Sequence, residues 1–303
     1  RAAPPMERAL RTEVQKGVLA MVVACLVWGL SPLYYKMLVS VPPIELLSHR
    51  TLWSMVLFAL ILLMQGRLRG ALGVLGNKNI MATLFIAALM IAFNWFVFIY
   101  SIQINRATET SLGYFIFPLV SVIFGVVLFR ENLSRAQISA VMLAAFAVLI
   151  LTYGLGQVPW IALSVSISFG IYGVIKKSLS IPAIVTVTLE VLLLSPIALM
   201  ILYFYHASGS GGQFGQSASI SLLLILSGPM TATPLILFSY ATRRVALATV
   251  GILQYINPSL QFLCATVLFL EPLSIWHAVA FPLIWFALAL YTWASFQTAR
   301  RSI

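Results

Sequence analysis

Charged side chains are scarce in this sequence of 303 residues: they make up 8% of it, and only 7 residues are Asp or Glu. A soluble domain carries roughly a quarter charged residues. Apolar residues reach 61%, and they fall in blocks of about 20, the length that crosses hydrocarbon as a helix. No soluble fold has an interior that hides so much apolar surface. The sequence therefore predicts an all-α membrane protein.

Catalytic and metal-binding motifs are also missing. The two cysteines, Cys25 and Cys264, lie inside apolar blocks without the paired spacing of a metal site or disulfide, and we interpret them as small buried residues. The sequence contains no nucleotide-binding P-loop, zinc-protease motif, Gly-x-Ser-x-Gly elbow or kinase motif set. These absences argue against an enzyme and against an ATP-driven pump, and they predict no cofactor and no metal.

Ten apolar blocks stand between polar, Gly and Pro breaks, and each is interpreted as one transmembrane helix. They lie near residues 17–37, 46–64, 80–103, 109–129, 136–155, 159–176, 183–204, 220–241, 248–269 and 276–297. The first block is too long for a signal peptide and has no small-residue cleavage site. Residues 1–16 then form an N-terminal segment, with Met6 as a candidate start, and residues 298–303 form a tail.

Basic residues give the orientation. If the amino terminus is cytoplasmic, every Lys and Arg except Lys36, Arg50 and Arg106 falls in a cytoplasmic segment. The positive-inside rule therefore places both termini in the cytoplasm of a bacterium, with the chain crossing the inner membrane many times. The formal net charge of +11 is a topology signal, so we expect no nucleic acid partner.

An offset of 140 residues aligns the two halves of the chain. Chemically distinctive residues coincide at this offset: Phe98 with Phe238, Tyr100 with Tyr240, Pro118 with Pro258, Glu131 with Glu271 and Ser134 with Ser274. We interpret residues 17–155 and 159–297 as duplicated five-helix units. Because five is odd, the second unit enters the membrane in the opposite sense, which makes an inverted repeat. Two similar units that pack in two alternative ways favour alternating access.

Charged residues inside predicted spans need a reason, since a central charge costs about 2.5–3.5 kcal/mol to insert. Glu190 lies deep in the seventh span, and the 140-residue offset pairs it with Arg50, next to His49. These groups either face a zwitterionic or polar solute, with Glu190 or His49 exchanging a proton, or form a structural ion pair. Both interpretations stay open.

Several uncharged side chains suit a mixed polar and aromatic pocket, although each also has a packing interpretation. The candidates are Trp28, Asn94, Tyr114, Tyr172, Gln254 and Tyr255. Pro118 and Pro258 occupy matching points of the fourth and ninth spans, where the lost helical hydrogen bond makes a kink. The paired kinks predict hinges, and a static bend is the alternative.

Motifs in both halves resemble the RarD-like branch of the EamA-type transporters, within the drug/metabolite transporter superfamily. They are Trp28-Gly29 with Pro32 and Lys36, Glu45 with His49-Arg50 and Trp53, Asn94-Trp95, Leu112 to Ile116 with Pro118, and Gln254-Tyr255 with Pro258. The resemblance implies ten helices and a cavity lined by the first four helices of each half. The fifth and tenth helices are expected at the periphery. Small four-helix relatives use a carboxylate in their first helix, which residues 17–37 lack.

These features predict a secondary transporter that exports amino acids or related small metabolites, with a cavity lined by Trp28, His49, Arg50, Asn94, Tyr114, Tyr172, Glu190, Gln254 and Tyr255. Efflux of lipophilic drugs is the second hypothesis, and a non-transporting sensor or scaffold is the third. The expected partners are a small solute and the lipid bilayer, with a monomer or a homodimer as the functional form.

Glu190→Gln tests the role of the predicted intramembrane carboxylate. If Glu190 orients the solute or carries a proton, the variant should stay folded and lose flux in an uptake or efflux assay, because the amide carries no charge. A folded and fully active variant would remove Glu190 from the mechanism.

Overall fold

The computed structural model of the protein describes residues 5–130, 133–207, 212–245, 249–250 and 253–301, and every regular element in these ranges is helical. The helices are α1 (Pro5–Lys36), α2 (Pro43–Met64), α3 (Leu68–Gly73), α4 (Lys78–Gln103), α5 (Ala107–Phe129), α6 (Arg135–Leu155), α7 (Trp160–Lys177), α8 (Ala183–Ala207), α9 (Ala218–Thr242), α10 (Ile256–Leu263) and α11 (Ile275–Arg301). A 3₁₀ turn follows α3 (Val74–Gly76), and a π-helical turn follows α10 (Cys264–Leu268).

Within the described ranges, nine helices are long and apolar enough to cross a membrane. They coincide with all the predicted spans except the ninth. In place of the ninth, a turn at Gln254 and Tyr255 precedes α10, and the π-helical turn extends the apolar helix to Leu268. Residues 246–248 and 251–252 of this stretch lie outside the described residues. The chain is a multi-pass membrane protein, and the count of ten helices and the orientation of the termini stay predictions.

The first helix begins earlier than predicted. α1 starts at Pro5 rather than near residue 17, so it carries polar turns ahead of its apolar span. Glu13 anchors these turns: Lys16 Nζ and Arg244 Nε each donate a hydrogen bond to its carboxylate at 2.9 Å. The guanidinium carbon of Arg244 also lies 3.6 Å from the ring centroid of Tyr240. The basic residues that predicted a cytoplasmic face therefore also hold α1 against the end of α9.

The chain divides into two compact units. The first unit comprises Arg1–Ala92 and Leu179–Asn257. Within it, α2 packs against α8 and α9, and α1 packs against α9. Glycine allows the closest of these approaches: a Cβ at Gly228 on α9 would lie 2.7 Å from the backbone carbonyl of Trp53 on α2. Small residues permit such contacts between membrane helices.

The second unit comprises Phe93–Ser178 and Pro258–Ile303. Within it, α5 packs against α7, and α6 packs against α11. The buried face of α6 is a stripe of small residues at Ala140, Ala144 and Ala147, while Met142 and Leu149 on its other side are 64% and 65% exposed. An exposed apolar face of this kind is typical of a helix that faces lipid. It agrees with a supporting role for the fifth span.

Two local structures recur at the 140-residue offset. Arg130 and Leu270 both adopt the left-handed backbone conformation with φ of 54°. Four residues later, Ser134 caps α6 by accepting from Gln137 N, and Ser274 is bonded in the same way to His277 N at the start of α11. Each unit takes helices from both predicted sequence halves, and these matches favour duplication, although the inverted repeat stays a prediction.

Gly228→Ala tests the close approach of α2 and α9. The added methyl would meet backbone atoms, which cannot rotate away, so the variant should lose about 1–3 kcal/mol of stability, the usual cost of overpacking. Thermal unfolding of the detergent-solubilised protein measures the loss. Gly173→Ala is the matched control on α7, since nothing lies within 4 Å of its Cβ position. Equal stability of the two variants would show that the helices do not meet at Gly228.

Candidate functional site

A polar face on α2 dominates the interior of the first unit. Its buried polar residues are Glu45, Ser48, His49, Arg50, Thr51 and Ser54. The helix tolerates them because some hydroxyls bond to the preceding turn: Ser48 Oγ donates to Ile44 O and Thr51 Oγ1 donates to Leu47 O. Two of the charged groups bond away from α2: Arg50 donates to Thr231 on α9, and Glu45 accepts from Gln213 N in the segment between α8 and α9.

Arg50 is the most strongly engaged of these residues. It is 6% exposed, its Nε donates to Thr231 Oγ1 on α9 at 2.9 Å, and its guanidinium carbon lies 5.7 Å from the ring centroid of Tyr35. Thr231 is itself oriented, because its hydroxyl donates to Ser227 O at 2.9 Å. A guanidinium held this way keeps its planar fork in a fixed position, which is the geometry that binds carboxylates.

Glu190 lies on α8, the helix that packs against α2. It is 1% exposed, and Val185 to Val191 around it are all buried. The structure thus places both intramembrane charges of the predicted pair inside one unit, on helices in contact. Whether they form an ion pair or share a solute stays a prediction.

His49 takes a different direction from Arg50, as successive helical residues must. Its ring stacks on Phe214, with centroids 4.8 Å apart and planes 27° apart, and its Nε2 lies 4.0 Å from Glu45 Oε1. His49 therefore contacts Phe214 and Glu45 rather than the partners of Arg50. Elsewhere in this unit, Trp28 on α1 lies against Phe238 on α9, with ring centroids 6.0 Å apart.

The predicted site residues divide between the two units. Trp28, His49, Arg50, Glu190, Gln254 and Tyr255 belong to the first unit, and Asn94, Tyr114 and Tyr172 belong to the second. Gln254 and Tyr255 are partly buried in the turn before α10. Their positions alone do not decide whether these residues line a solute cavity, so the lining role stays a prediction.

Asn94 connects three helices in the second unit. Its Nδ2 donates to Val165 O at 2.8 Å and to Ser168 Oγ at 3.1 Å on α7, and its Oδ1 accepts from Tyr114 OH on α5 at 3.1 Å. These contacts support the bridging interpretation of Asn94. Phe169, which the sequence did not single out, lies between the other predicted aromatics, with ring centroids 6.3 Å from Tyr114 and 5.9 Å from Tyr172.

Pro118 lies inside α5, whereas Pro258 is the third residue of α10, in its first turn, where a proline removes no helical hydrogen bond. The kink expected at Pro258 from a lost bond therefore does not form there. Ser111 Oγ on α5 donates to Pro258 O at 2.9 Å, so the ninth-span proline is bonded to the helix that carries the fourth-span proline. This bond places the two prolines on helices of the same unit. Their hinge role stays a prediction.

Glu271 has a role that sequence reasoning missed. Its carboxylate accepts from Ala107 N at 2.7 Å, Thr108 N at 2.8 Å and Thr108 Oγ1 at 2.6 Å, which caps the start of α5. The first N–H groups of a helix have no partner within it and favour a negative charge. The 140-residue offset identified Glu271 as one of the matched residues, but the groups that donate to its carboxylate are known only from the structure. Its repeat partner, Glu131, lies outside the described residues.

A cavity of about 490 Å³ opens at the predicted cytoplasmic end of the first unit. Its polar lining consists of basic side chains and uncharged polar side chains. The basic ones are Arg67, Arg243 and Arg244, and the uncharged ones are Gln65, Ser239, Tyr240 and Thr242. The size falls within the range of small-molecule sites, about 300–1,000 Å³. From the sequence, these three arginines are interpreted only as a signal of membrane topology. The structure shows that they also line a concave surface.

Known proteins resemble this chain over nearly its whole length. The EamA-like transporter family matches residues 15–153. The uncharacterized transporter YojE of Bacillus subtilis is 40% identical over 96% of this chain and 98% of that protein. Protein RarD of Salmonella typhi is 34% identical over 95% of this chain and 98% of that protein. A crystal structure with 18% identity superposes with a TM-score of 0.61 over 91% of this chain and 97% of that one, which shows a shared fold.

Glu271→Ala tests the cap of α5. The variant leaves buried N–H and hydroxyl donors of Ala107 and Thr108 without an acceptor, so the free energy of unfolding should fall by about 1–3 kcal/mol. Thermal unfolding in detergent measures the loss. Glu13→Ala is the control, since it also removes a carboxylate with two partners but on an exposed surface, and its loss of stability should be clearly smaller than that of Glu271→Ala. A Glu271→Ala protein as stable as the native chain would contradict the capping role.

Proposed function

Because this chain belongs to the EamA-like transporter family, in the RarD-like branch of the drug/metabolite transporters, we propose that it exports amino acids or related small metabolites across the bacterial inner membrane. Its membership makes it a membrane transporter. The cargo, the direction of flux and alternating access are the proposed parts. A carboxylate bound near Arg50 is the central feature of the proposal.

The buried guanidinium of Arg50 is the observation that carries the proposal. Charged side chains within a bilayer are rare and often mark functional pathways, and Arg50 lies within a predicted span with its guanidinium oriented by Thr231. A lipophilic drug offers no charged group that Arg50 could bind, because its surface is apolar. A solute with a carboxylate does.

Glu190 supplies the complementary charge. It lies on α8, which packs against the helix of Arg50, and it is buried. An amino acid carries an ammonium next to its carboxylate, so a cationic and an anionic side chain in one unit match its two ends. A metabolite with a carboxylate alone would depend on Arg50 and leave Glu190 for proton exchange.

The cavity at the end of the first unit suits the loading step of an exporter. Arg67, Arg243 and Arg244 line it, and basic side chains attract anionic groups over distances of about a Debye length. On the predicted topology this cavity faces the cytoplasm, where the cargo of an exporter is found.

Alternating access requires two arrangements of the helices with nearly equal energy. The predicted duplication supplies a reason for near-equal energies, and Pro118 within α5 supplies a point where a helix bends at low cost. Without a nucleotide-binding motif, the energy source is an ion gradient or the gradient of the solute itself. The first helix lacks the carboxylate of the small multidrug relatives, which leaves Glu190 or His49 as the proton-exchanging group.

Arg50→Lys tests the proposal most selectively within the site. Lys keeps the charge but loses the planar fork, so a carboxylate solute loses its paired hydrogen bonds. Flux of labelled amino acids into proteoliposomes should fall about 10-fold or more, as expected for the loss of one or two charged hydrogen bonds. The panel should include labelled amino acids and lipophilic drugs, each with and without a pH gradient.

Arg106→Lys is the matched control. Arg106 pairs with Glu109 at the turn before α5 and is 28% exposed, so the variant should keep native flux. Drug flux that the Arg50→Lys variant retains in full, with no amino acid flux in the native protein, would replace the proposal with drug efflux. Absence of flux for every solute would favour a sensor or scaffold.

A further inference from the structure

Three potential metal ligands come together at one end of the first unit. They are Glu45 and His49 in the first turns of α2 and His206 in the last turn of α8, and their ligand atoms all lie within 4.8 Å of one another. Sequence spacing predicted no metal site, because His206 is remote from the other two along the chain. Glu45 and His49, four residues apart on a helix, share one face.

Two buried atoms of this cluster are unsatisfied. Glu45 Oε2 and His49 Nε2 find no hydrogen-bond partner among the described residues, although Glu45 is 0% exposed and His49 is 4% exposed. An unpaired buried acceptor costs about 1–3 kcal/mol, and more when it is charged. His49 Nε2 lies 4.0 Å from the Glu45 carboxylate, with a ligand atom of His206 within 4.8 Å, and a cation bound among these side chains would satisfy both atoms.

The surrounding contacts hold these ligands in place. Glu45 Oε1 accepts from Gln213 N at 2.7 Å, which fixes the carboxylate and leaves Oε2 for another partner. The ring of His49 is fixed by its stacking on Phe214. Contacts of this kind, which do not touch the metal themselves, orient the metal-binding side chains of proteins.

Gly212 shapes the third side of the cluster. A Cβ at this position would lie 2.4–2.8 Å from the ring atoms of His206, so the chain passes directly over the imidazole. His206 itself is exposed, which gives a cation a path from the aqueous side. The cluster is therefore buried at Glu45 and His49 and open to solvent at His206.

We propose that Glu45, His49 and His206 form a binding site for a divalent transition metal, with Zn²⁺ as the ion that fits best. Two imidazoles and one carboxylate are a ligand set that proteins use for zinc with a fourth, open position. Ca²⁺ and Mg²⁺ prefer sets made of oxygen, which two imidazoles cannot provide. The ligand set thus selects a transition metal over the abundant alkaline-earth ions.

The geometry needs a small closure on binding. Tetrahedral bonds of about 2.0–2.1 Å place neighbouring ligand atoms about 3.3 Å apart. The cluster has separations of up to 4.8 Å, so the ligands must close by roughly 1.5 Å at most. Rotation of the exposed His206 side chain at the end of α8 can supply part of this movement, and because His49 Nε2 lies 4.0 Å from Glu45 Oε1, these two side chains must also move closer.

Bound metal would link three segments: the start of α2, the end of α8 and the backbone at Gln213 through Glu45. The proposal does not depend on what the protein transports, because binding is measured without flux. Its failure would leave the transport proposal untouched, and the reverse also holds.

Isothermal titration with Zn²⁺ tests the site in the full chain. The protein is purified without a polyhistidine tag, stripped with a chelator and placed in lipid nanodiscs. We expect one Zn²⁺ per chain. Substituting Co²⁺ should give the visible absorption of a four- or five-coordinate site with nitrogen and oxygen ligands. A chain that binds no stoichiometric Zn²⁺ would overturn the proposal.

His206→Gln is the decisive variant, since its side chain is exposed and its loss should not disturb folding. Zn²⁺ affinity should fall by more than the roughly 10- to 100-fold that loss of a ligand-orienting partner costs. Glu45→Gln should have a similar effect if it folds.

His277→Gln is the matched control because it removes the third histidine of the sequence. The corresponding position in the first half is Gln137, which makes the same cap with its serine, so this variant should fold and bind Zn²⁺ normally. Affinity that drops with His277→Gln, or that His206→Gln leaves unchanged, would contradict the assignment.

Discussion

The constraint on which the rest of this structure depends is that hydrocarbon cannot satisfy a polar group. Every N–H, C=O, amide or charge placed at membrane depth must find its partner within the protein. Arg50 donates to Thr231 on α9, and Asn94 bonds to two other helices. These bonds are few, and each lies between helices that are distant in sequence. They define which helices pack together more specifically than the surrounding Leu, Val and Ala contacts, which are as favourable with lipid as with protein.

The same constraint explains how much could be predicted from the sequence. Apolar length alone located nine membrane-spanning helices in the described part of the chain, because a span has to be continuous and about 20 residues long. The cost of intramembrane polarity also pointed to Arg50, Glu190 and Asn94, which are all buried. It did not reveal the interruption before α10 or the π-helical turn after it, since both keep an apolar composition. The early start of α1 was missed because its first turns are polar.

Partners were harder to predict than the residues that need them. Thr231, Phe169 and Phe214 are ordinary residue types in a membrane helix or loop, and nothing in their local sequence marks them. Glu45 was noticed only as part of a family motif, although its spacing from His49 puts the two on one helix face. The 140-residue offset did identify Glu271 and Ser274, and the matching caps of α6 and α11 give that offset a structural counterpart. Which residues pair over long range depends on the fold. The sequence therefore predicts which polar residues need a partner but not which residue the partner is.

The proposed carrier exposes one site to each side of the membrane in turn, and a counterflow measurement tests this directly. Proteoliposomes containing the protein are loaded with a high concentration of unlabelled amino acid and diluted into a trace of the labelled form. A carrier predicts transient accumulation of label above its equilibrium level, because each returning site brings a labelled molecule inward. Label that only equilibrates with the medium, or never enters, would contradict the account.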